Sequence, residues 1–120
     1  MSIINLTQHP ASPEQIEAGV IDLPAADKAE LAALLTFNNP PTADEIRARA
    51  ASVAARAVGH EAAMIGGALW LMGPLTAALR AAGVRPVFAF TRREAEEQPQ
   101  ADGSVKKVAV FRHAGFVEAV

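Results

Sequence analysis

Apolar and polar residues alternate along this chain in a pattern that predicts strands separated by helices. Short apolar runs at residues 3–6 and 62–65 are typical of buried strands, and residues 85–91 form a further strand rich in Val and Phe. A last strand is expected at residues 105–111, after an Asp-Gly turn at residues 100–104. The pattern thus predicts four strands, of which the last two form a hairpin.

Helical patterns fill the intervals, and capping residues mark where two of the helices begin. Ser12 precedes Pro13 and is followed three residues later by Gln15, and Thr42 stands in the same relation to Glu45. The expected helices cover residues 13–19, 24–37, 42–59 and 74–82, the last starting or restarting at Pro74.

This order of elements predicts an α/β fold in which residues 1–120 form a single Rossmann-like domain. Strands joined by helices give a mostly parallel sheet with helices on both faces, and the final turn adds a C-terminal antiparallel hairpin. The length of 120 residues fits one domain.

Composition narrows the classes of function. The net charge of −2 gives no general attraction to long nucleic acids, and the absence of Cys excludes disulfides and thiolate metal sites. The most apolar stretch, residues 62–79, is interrupted by three Gly and one Pro, so no membrane span is expected. No basic segment followed by an apolar run opens the sequence. A cytoplasmic protein is therefore expected.

Polar, glycine and basic residues follow three of the predicted strands, at the point where each strand ends. Since ligands of open α/β sheets bind beyond the carboxyl ends of the strands, these three segments are expected to converge as loops. The candidate ligand-binding residues are Thr7, Gln8, His9 and Ser12 after the first strand, Gly66 and Gly67 after the second, and Thr91, Arg92 and Arg93 after the third. A glycine turn before a helix, joined by arginines, favours a phosphate, so the expected ligand is anionic and nucleotide-like.

Each of these signals also has a purely structural interpretation. The polar run after the first strand can satisfy turn backbone groups, the glycine pair can be a tight turn, and the arginines can belong to a solvated charged face. No G-x-G-x-x-G or Walker motif is present. The three histidines lack the spacing of metal ligands, so neither a metal nor a cofactor is expected.

Several short motifs resemble those of small CRISPR-associated Rossmann-like proteins of the CARF superfamily. They are the opening NLTQHPASPEQ, the IGG of the second strand, Thr91-Arg92-Arg93 with its acidic continuation, DGSV, and VFRHAGF near the end. That superfamily includes ring nucleases and sequestering proteins for cyclic oligoadenylate, a second messenger of antiviral defence. The sequence departs from the family at Ala68-Leu69-Trp70, where more polar residues are usual.

The resemblance implies a homodimer that holds a cyclic oligoadenylate ring across its two-fold axis. It further implies either sequestration of the ring or metal-free cleavage by a ribose 2′-hydroxyl, with His9 as the candidate catalytic acid or base. Arg92 or Arg93 would then hold phosphate, while Thr7, Gln8 and Ser12 would bind ribose or phosphate. Two other hypotheses remain: a small Rossmann-like enzyme acting on a mononucleotide or phosphosugar, and a non-enzymatic interaction module.

Overall fold

Five strands and four helices make up residues 2–120, the part of the chain that the computed structural model describes. The strands are β1 Ile3–Asn5, β2 Val20–Asp22, β3 Ala62–Met64, β4 Arg85–Pro99 and β5 Val105–Glu118. The helices are α1 Pro13–Glu17, α2 Ala25–Leu35, α3 Ala43–Ala55 and α4 Leu69–Ala81.

The strands form one mixed sheet in the order β2-β1-β3-β4-β5. The pairs β1–β2, β1–β3 and β3–β4 are parallel, whereas β4 and β5 are antiparallel. The predicted fold class is therefore confirmed. Since β2 and β3 lie on opposite sides of β1, the chain changes direction across the sheet between β1 and β3. This is the topological switch point at which α/β sheets place their ligands.

The core lies on both faces of the sheet, because successive strand residues point to opposite sides. Ile4 and Ala63 face α2, α3 and α4 and belong to the larger buried cluster. Ile3 and Ala62 face the other way, toward a smaller cluster against which Ala11 packs, just before α1. Helix α1 contacts β2 and β5 but buries no residue of its own. The second face is therefore covered more thinly than the first.

Strand β2 and the start of α4 differ from the prediction. Strand β2 lies between the first two expected helices, where no element was predicted, because three residues after Gly19 are too few to give a period but suffice to pair with β1. Helix α4 begins at Leu69 and contains Pro74 rather than starting there. Its residues Leu71 and Leu75 are fully buried at helical spacing, and this packing outweighs the hydrogen bond that proline cannot make. No helix within residues 2–120 is both long and apolar enough to cross a membrane.

The prediction that the chain leaves the sheet as a loop after Thr91 is wrong. Strand β4 continues to Pro99 through an acidic segment of low strand propensity, because each of its residues is paired with β5. The register shifts between Phe90 and Thr91, where β5 contains one unpaired residue, Ala114. The predicted Asp-Gly turn joins the two strands, with Asp102 accepting a hydrogen bond from the Ser104 N–H at 2.9 Å.

The distal part of this hairpin, residues 91–113, is called here the hairpin arm. It gives the molecule principal extents of 58 × 35 × 29 Å and a radius of gyration of 16.9 Å. A compact chain of this length would have a radius of about 13.6 Å. The arm therefore extends well beyond the packed part of the protein.

Candidate functional site

A pocket of about 450 Å³ opens at the switch point, between the loops that follow β1 and β3. Polar residues of the first loop and glycines of the second face each other across it, and apolar side chains form its floor. Its lining residues are Thr7, Gln8, His9, Pro10, Gln15, Leu35, Met64, Gly66, Gly67, Ala68 and Ala89. The volume is that of a small-molecule site.

Asn5, the last residue of β1, holds the first of these loops in place. It is only 4% exposed. Its side-chain oxygen accepts hydrogen bonds from the N–H and the hydroxyl of Thr7 at 2.9 and 2.7 Å. Its amide nitrogen donates to the carbonyl of His9 at 2.8 Å. The loop is thus fastened at both ends by one buried amide, and its backbone cannot turn His9 away from the pocket without breaking these bonds.

Asp22, at the end of β2, supports the same loop from the other side. Its carboxylate accepts hydrogen bonds from the Asn5 amide at 2.8 Å and from the Ala11 N–H at 3.1 Å. Lys28 forms an ion pair with it at 3.3 Å. Burial by itself raises the pKa of Asp22, but the hydrogen bonds from Asn5, Ala11 and Lys28 and the charge of Lys28 outweigh it and lower that pKa. The ionised carboxylate is therefore the form that the fold stabilises.

This support should depend on pH. The pKa of Asp22 is lower in the folded chain than in the unfolded one, so its stabilisation is present above about pH 4 and is lost as the pH falls through the folded value. We expect Asp22→Asn to lower the free energy of unfolding at pH 7. Below about pH 4 the free energy of unfolding of the variant should approach that of the wild type. Denaturant unfolding of both proteins from pH 7 to pH 3 measures this; a difference that stays constant would contradict it.

The loop after β3 approaches the β1 loop closely. A Cβ atom added to Gly66 would lie 3.5 Å from the Thr7 methyl carbon. Gly67 has a φ of 138°, a conformation that residues with a side chain rarely adopt.

Helix α4 then begins with Ala68 as its N-cap residue, and no side chain caps it. The Leu71 N–H donates to the Ala68 carbonyl at 3.0 Å, whereas the N–H groups of Leu69 and Trp70 have no acceptor within residues 2–120 and can bind one at this helix end.

The structure brings together five of the predicted site residues: Thr7, Gln8, His9, Gly66 and Gly67 all line the pocket. Gln8 also donates to the Thr36 hydroxyl at 3.2 Å, which ties the loop to the end of α2. The roles of these residues toward a ligand stay predictions.

The other four predicted residues lie elsewhere. Ser12 caps α1, accepting from the Gln15 N–H at 3.2 Å while its own N–H is bound by the Gln15 side chain at 3.0 Å. Thr91, Arg92 and Arg93 lie on the exposed arm and do not line the pocket within one chain. They fail to converge because β4 continues straight past the sheet edge instead of turning back.

Asp22 and Lys28 also belong to the site, although neither was predicted from the sequence. The signal was present in Val20-Ile21-Asp22, an apolar pair followed by a carboxylate, which is the pattern of a strand that ends at the ligand edge. Lys28 lies by a small cleft of about 60 Å³ that it shares with His9 and Asp22. It brings a cation near the first loop, where no charge had been expected. Within residues 2–120, no group of three His, Asp or Glu side chains is arranged to hold a metal ion.

A family model described as "Uncharacterized protein MJ1673 family" matches residues 1–117, almost the whole chain. No curated protein and no solved structure matches the sequence. The match shows the family of this chain, and its description names no ligand or reaction for the pocket.

Proposed function

Since this chain belongs to the MJ1673 family, whose description states no activity, we propose its function from the pocket: the protein binds an anionic nucleotide, and specifically a cyclic oligoadenylate. A phosphate of the ring would lie between the loop of Thr7 and His9 and the turn of Gly66 and Gly67. The sugar and base would rest on the apolar floor formed by Met64 and Ala89.

The observation that carries this proposal is the position of the pocket at the switch point, between two loops of complementary chemistry. One loop presents an amide, an imidazole and a hydroxyl, while the other presents glycine backbone and an uncapped helix start. Backbone N–H groups at a helix start favour a phosphate oxygen, and His and Gln side chains donate hydrogen bonds as well. No Lys or Arg lines the pocket in the described chain, so neutral donors would do most of the binding.

The choice of a cyclic oligoadenylate rests on the sequence resemblance and on size. One pocket of about 450 Å³ accommodates one nucleotide unit, not a whole ring. A ring with two-fold symmetry would occupy two such pockets in a homodimer, each using the same residues. The dimer is part of this proposal.

Cleavage of the ring would proceed through the ribose 2′-hydroxyl of the bound nucleotide. Its oxygen attacks the adjacent phosphorus while the bond from phosphorus to the 5′-oxygen breaks, leaving a 2′,3′-cyclic phosphate and a 5′-hydroxyl. His9 is the candidate acid or base, either accepting the 2′-hydroxyl proton or supplying one to the 5′-oxygen. The backbone N–H groups at the start of α4 would stabilise the charge on the phosphate oxygens.

The ligand is best identified directly. We expect mass spectrometry of ligands released from the purified protein to show a cyclic oligoadenylate. Calorimetry should show that cyclic tetra-adenylate or hexa-adenylate binds at least tenfold more tightly than linear oligoadenylate of the same length. Intact ring after prolonged incubation would assign the protein to sequestration rather than cleavage.

A mononucleotide is the second candidate, because the pocket of one chain already has the volume for it. Tight binding of a mononucleotide or sugar phosphate with no binding of any ring would favour an enzyme of small phosphorylated substrates. Absence of binding by all of these compounds would leave the interaction-module hypothesis and overturn the proposal.

A further inference from the structure

The hairpin arm lacks the contacts that normally stabilise a two-stranded ribbon. None of its residues is buried, and Phe111 is 68% exposed. Within residues 2–120, β4 pairs with β3 only through Arg85, Pro86 and Val87, so its other edge is open along the whole arm. An isolated two-stranded hairpin is marginally stable in water, and an open edge is a template for pairing with another strand.

The two open edges differ in charge. The edge of β5 carries Lys106, Lys107 and Arg112, a single sign that opposes pairing with a copy of itself. The edge of β4 instead reads Arg92-Arg93-Glu94-Ala95-Glu96-Glu97, with positive charge at one end and negative charge at the other. When such a strand pairs antiparallel with a copy of itself, the opposite ends meet. The pattern is therefore self-complementary.

Ion pairs within the chain leave most of this pattern available. Glu96 pairs with Arg112 at 3.4 Å. Arg92, Arg93, Glu94 and Glu97 form no ion pair among the residues that the structure describes. Arg92 even lies directly opposite Arg112 in its own hairpin, an unfavourable pairing of like charges. A carboxylate supplied by another molecule would reduce the repulsion between Arg92 and Arg112.

We propose that the β4 edges of two copies of this chain pair antiparallel about a two-fold axis at Glu94. In this register Arg92 lies opposite Glu96 of the second copy, twice by symmetry, and Arg93 lies diagonal to its Glu97. The two Glu94 side chains then face each other on the axis, which is one pair of like charge, whereas shifting the axis to Ala95 would place Glu94 opposite Glu96 twice, which is two such pairs. The arms thus join the two sheets into one continuous sheet.

This pairing makes the second copy part of the site. With the axis at Glu94, Pro99 of the second copy lies beside Ala89, which lines the pocket. The turn that follows, residues 100–103, then extends toward the pocket mouth, so each pocket is bordered by the hairpin tip of the other chain. The pairing deepens the proposed homodimer, but it follows from the arm alone and does not require the proposed ligand.

A single-cysteine scan tests the register, because the natural chain contains no Cys. Directly opposed strand residues have Cα atoms about 4.5–5.5 Å apart, within the range that a disulfide spans. Under mild oxidation Glu94→Cys should therefore form a covalent dimer at low micromolar concentration. Lys106→Cys lies on the outer edge of the arm and should form at least tenfold less covalent dimer under the same conditions.

Charge reversal tests the contacts. Arg92→Glu should weaken the dimer at least tenfold in sedimentation experiments, and Arg92→Glu combined with Glu96→Arg should restore it. Arg92→Glu faces Arg112 in its own hairpin, so the single variant keeps the arm paired. A monomeric wild type at about 100 μM, or faster cross-linking through Lys106→Cys than through Glu94→Cys, would overturn the proposal. Failure of ring binding with these results intact would overturn only the proposed function.

Discussion

Replacing His9 by Ala is expected to lower the single-turnover rate of ring cleavage by roughly 10²–10⁴, the usual contribution of a positioned acid or base. His9 lines the pocket, and the loop that carries it is fixed through the backbone, since the Asn5 amide donates to the His9 carbonyl. The alanine variant retains that carbonyl. Its loss of rate would therefore reflect the imidazole rather than a rearranged loop.

Ring affinity should change much less than the rate, because the imidazole acts on the transition state. Single-turnover measurement is required, since product release can hide the chemical step. The matched control is His113→Ala, whose ring packs on Phe116 with centroids 4.8 Å apart and does not line the pocket. A rate that depends on His113 and not on His9 would remove His9 from the mechanism.

Replacing Asn5 by Ala is expected to lower the free energy of unfolding by about 2–4 kcal/mol. The variant loses four hydrogen bonds, each worth about 0.5–1.5 kcal/mol net, and the loss is partly offset because a backbone N–H and a carbonyl at the pocket regain water. Ligand affinity should fall as well, because the loop of Thr7 and His9 is no longer held. Denaturant unfolding and calorimetry of the same preparation measure the two effects.

The matched control is Asn39→Ala, an exposed amide in the loop between α2 and α3. Its effect on stability should stay within about 0.5 kcal/mol. Equal effects of the two substitutions would show that Asn5 does not organise the site. A stable Asn5→Ala variant with normal affinity would lead to the same conclusion.

Local rules were enough to predict much of the fold. Ser12 and Thr42 both cap helices, as their spacing to Gln15 and Glu45 indicated. The strands of β1 and β3 are apolar because both their faces are buried, and that burial makes them visible in sequence. Strand β2 was not predicted because only Val20 is fully buried, while Ile21 is exposed, so the strand shows no apolar run in the sequence.

The part of the site that was predicted is the part that follows these two buried strands. The loops of Thr7 and Gly66 follow buried strands that are neighbours in the sheet, so recognising those strands was enough to bring the loops together. Asp22 was missed along with β2, and Lys28 with it. Arg92 and Arg93 were placed at the pocket because the Val- and Phe-rich run that predicted the strand ends at Thr91, and a loop was expected to follow it at the ligand edge.

The sequence by itself determined the α/β class, the starts of α1 and α3 and the two loops of the pocket, because each is encoded by neighbouring residues through capping, periodicity or burial. Only the tertiary structure decided the network of Asn5 and Asp22, which are 17 residues apart and meet because β1 and β2 pair. It also decided the length of the hairpin arm. Cross-strand pairing with β5 holds residues 92–99 in a strand that their own propensities would not form.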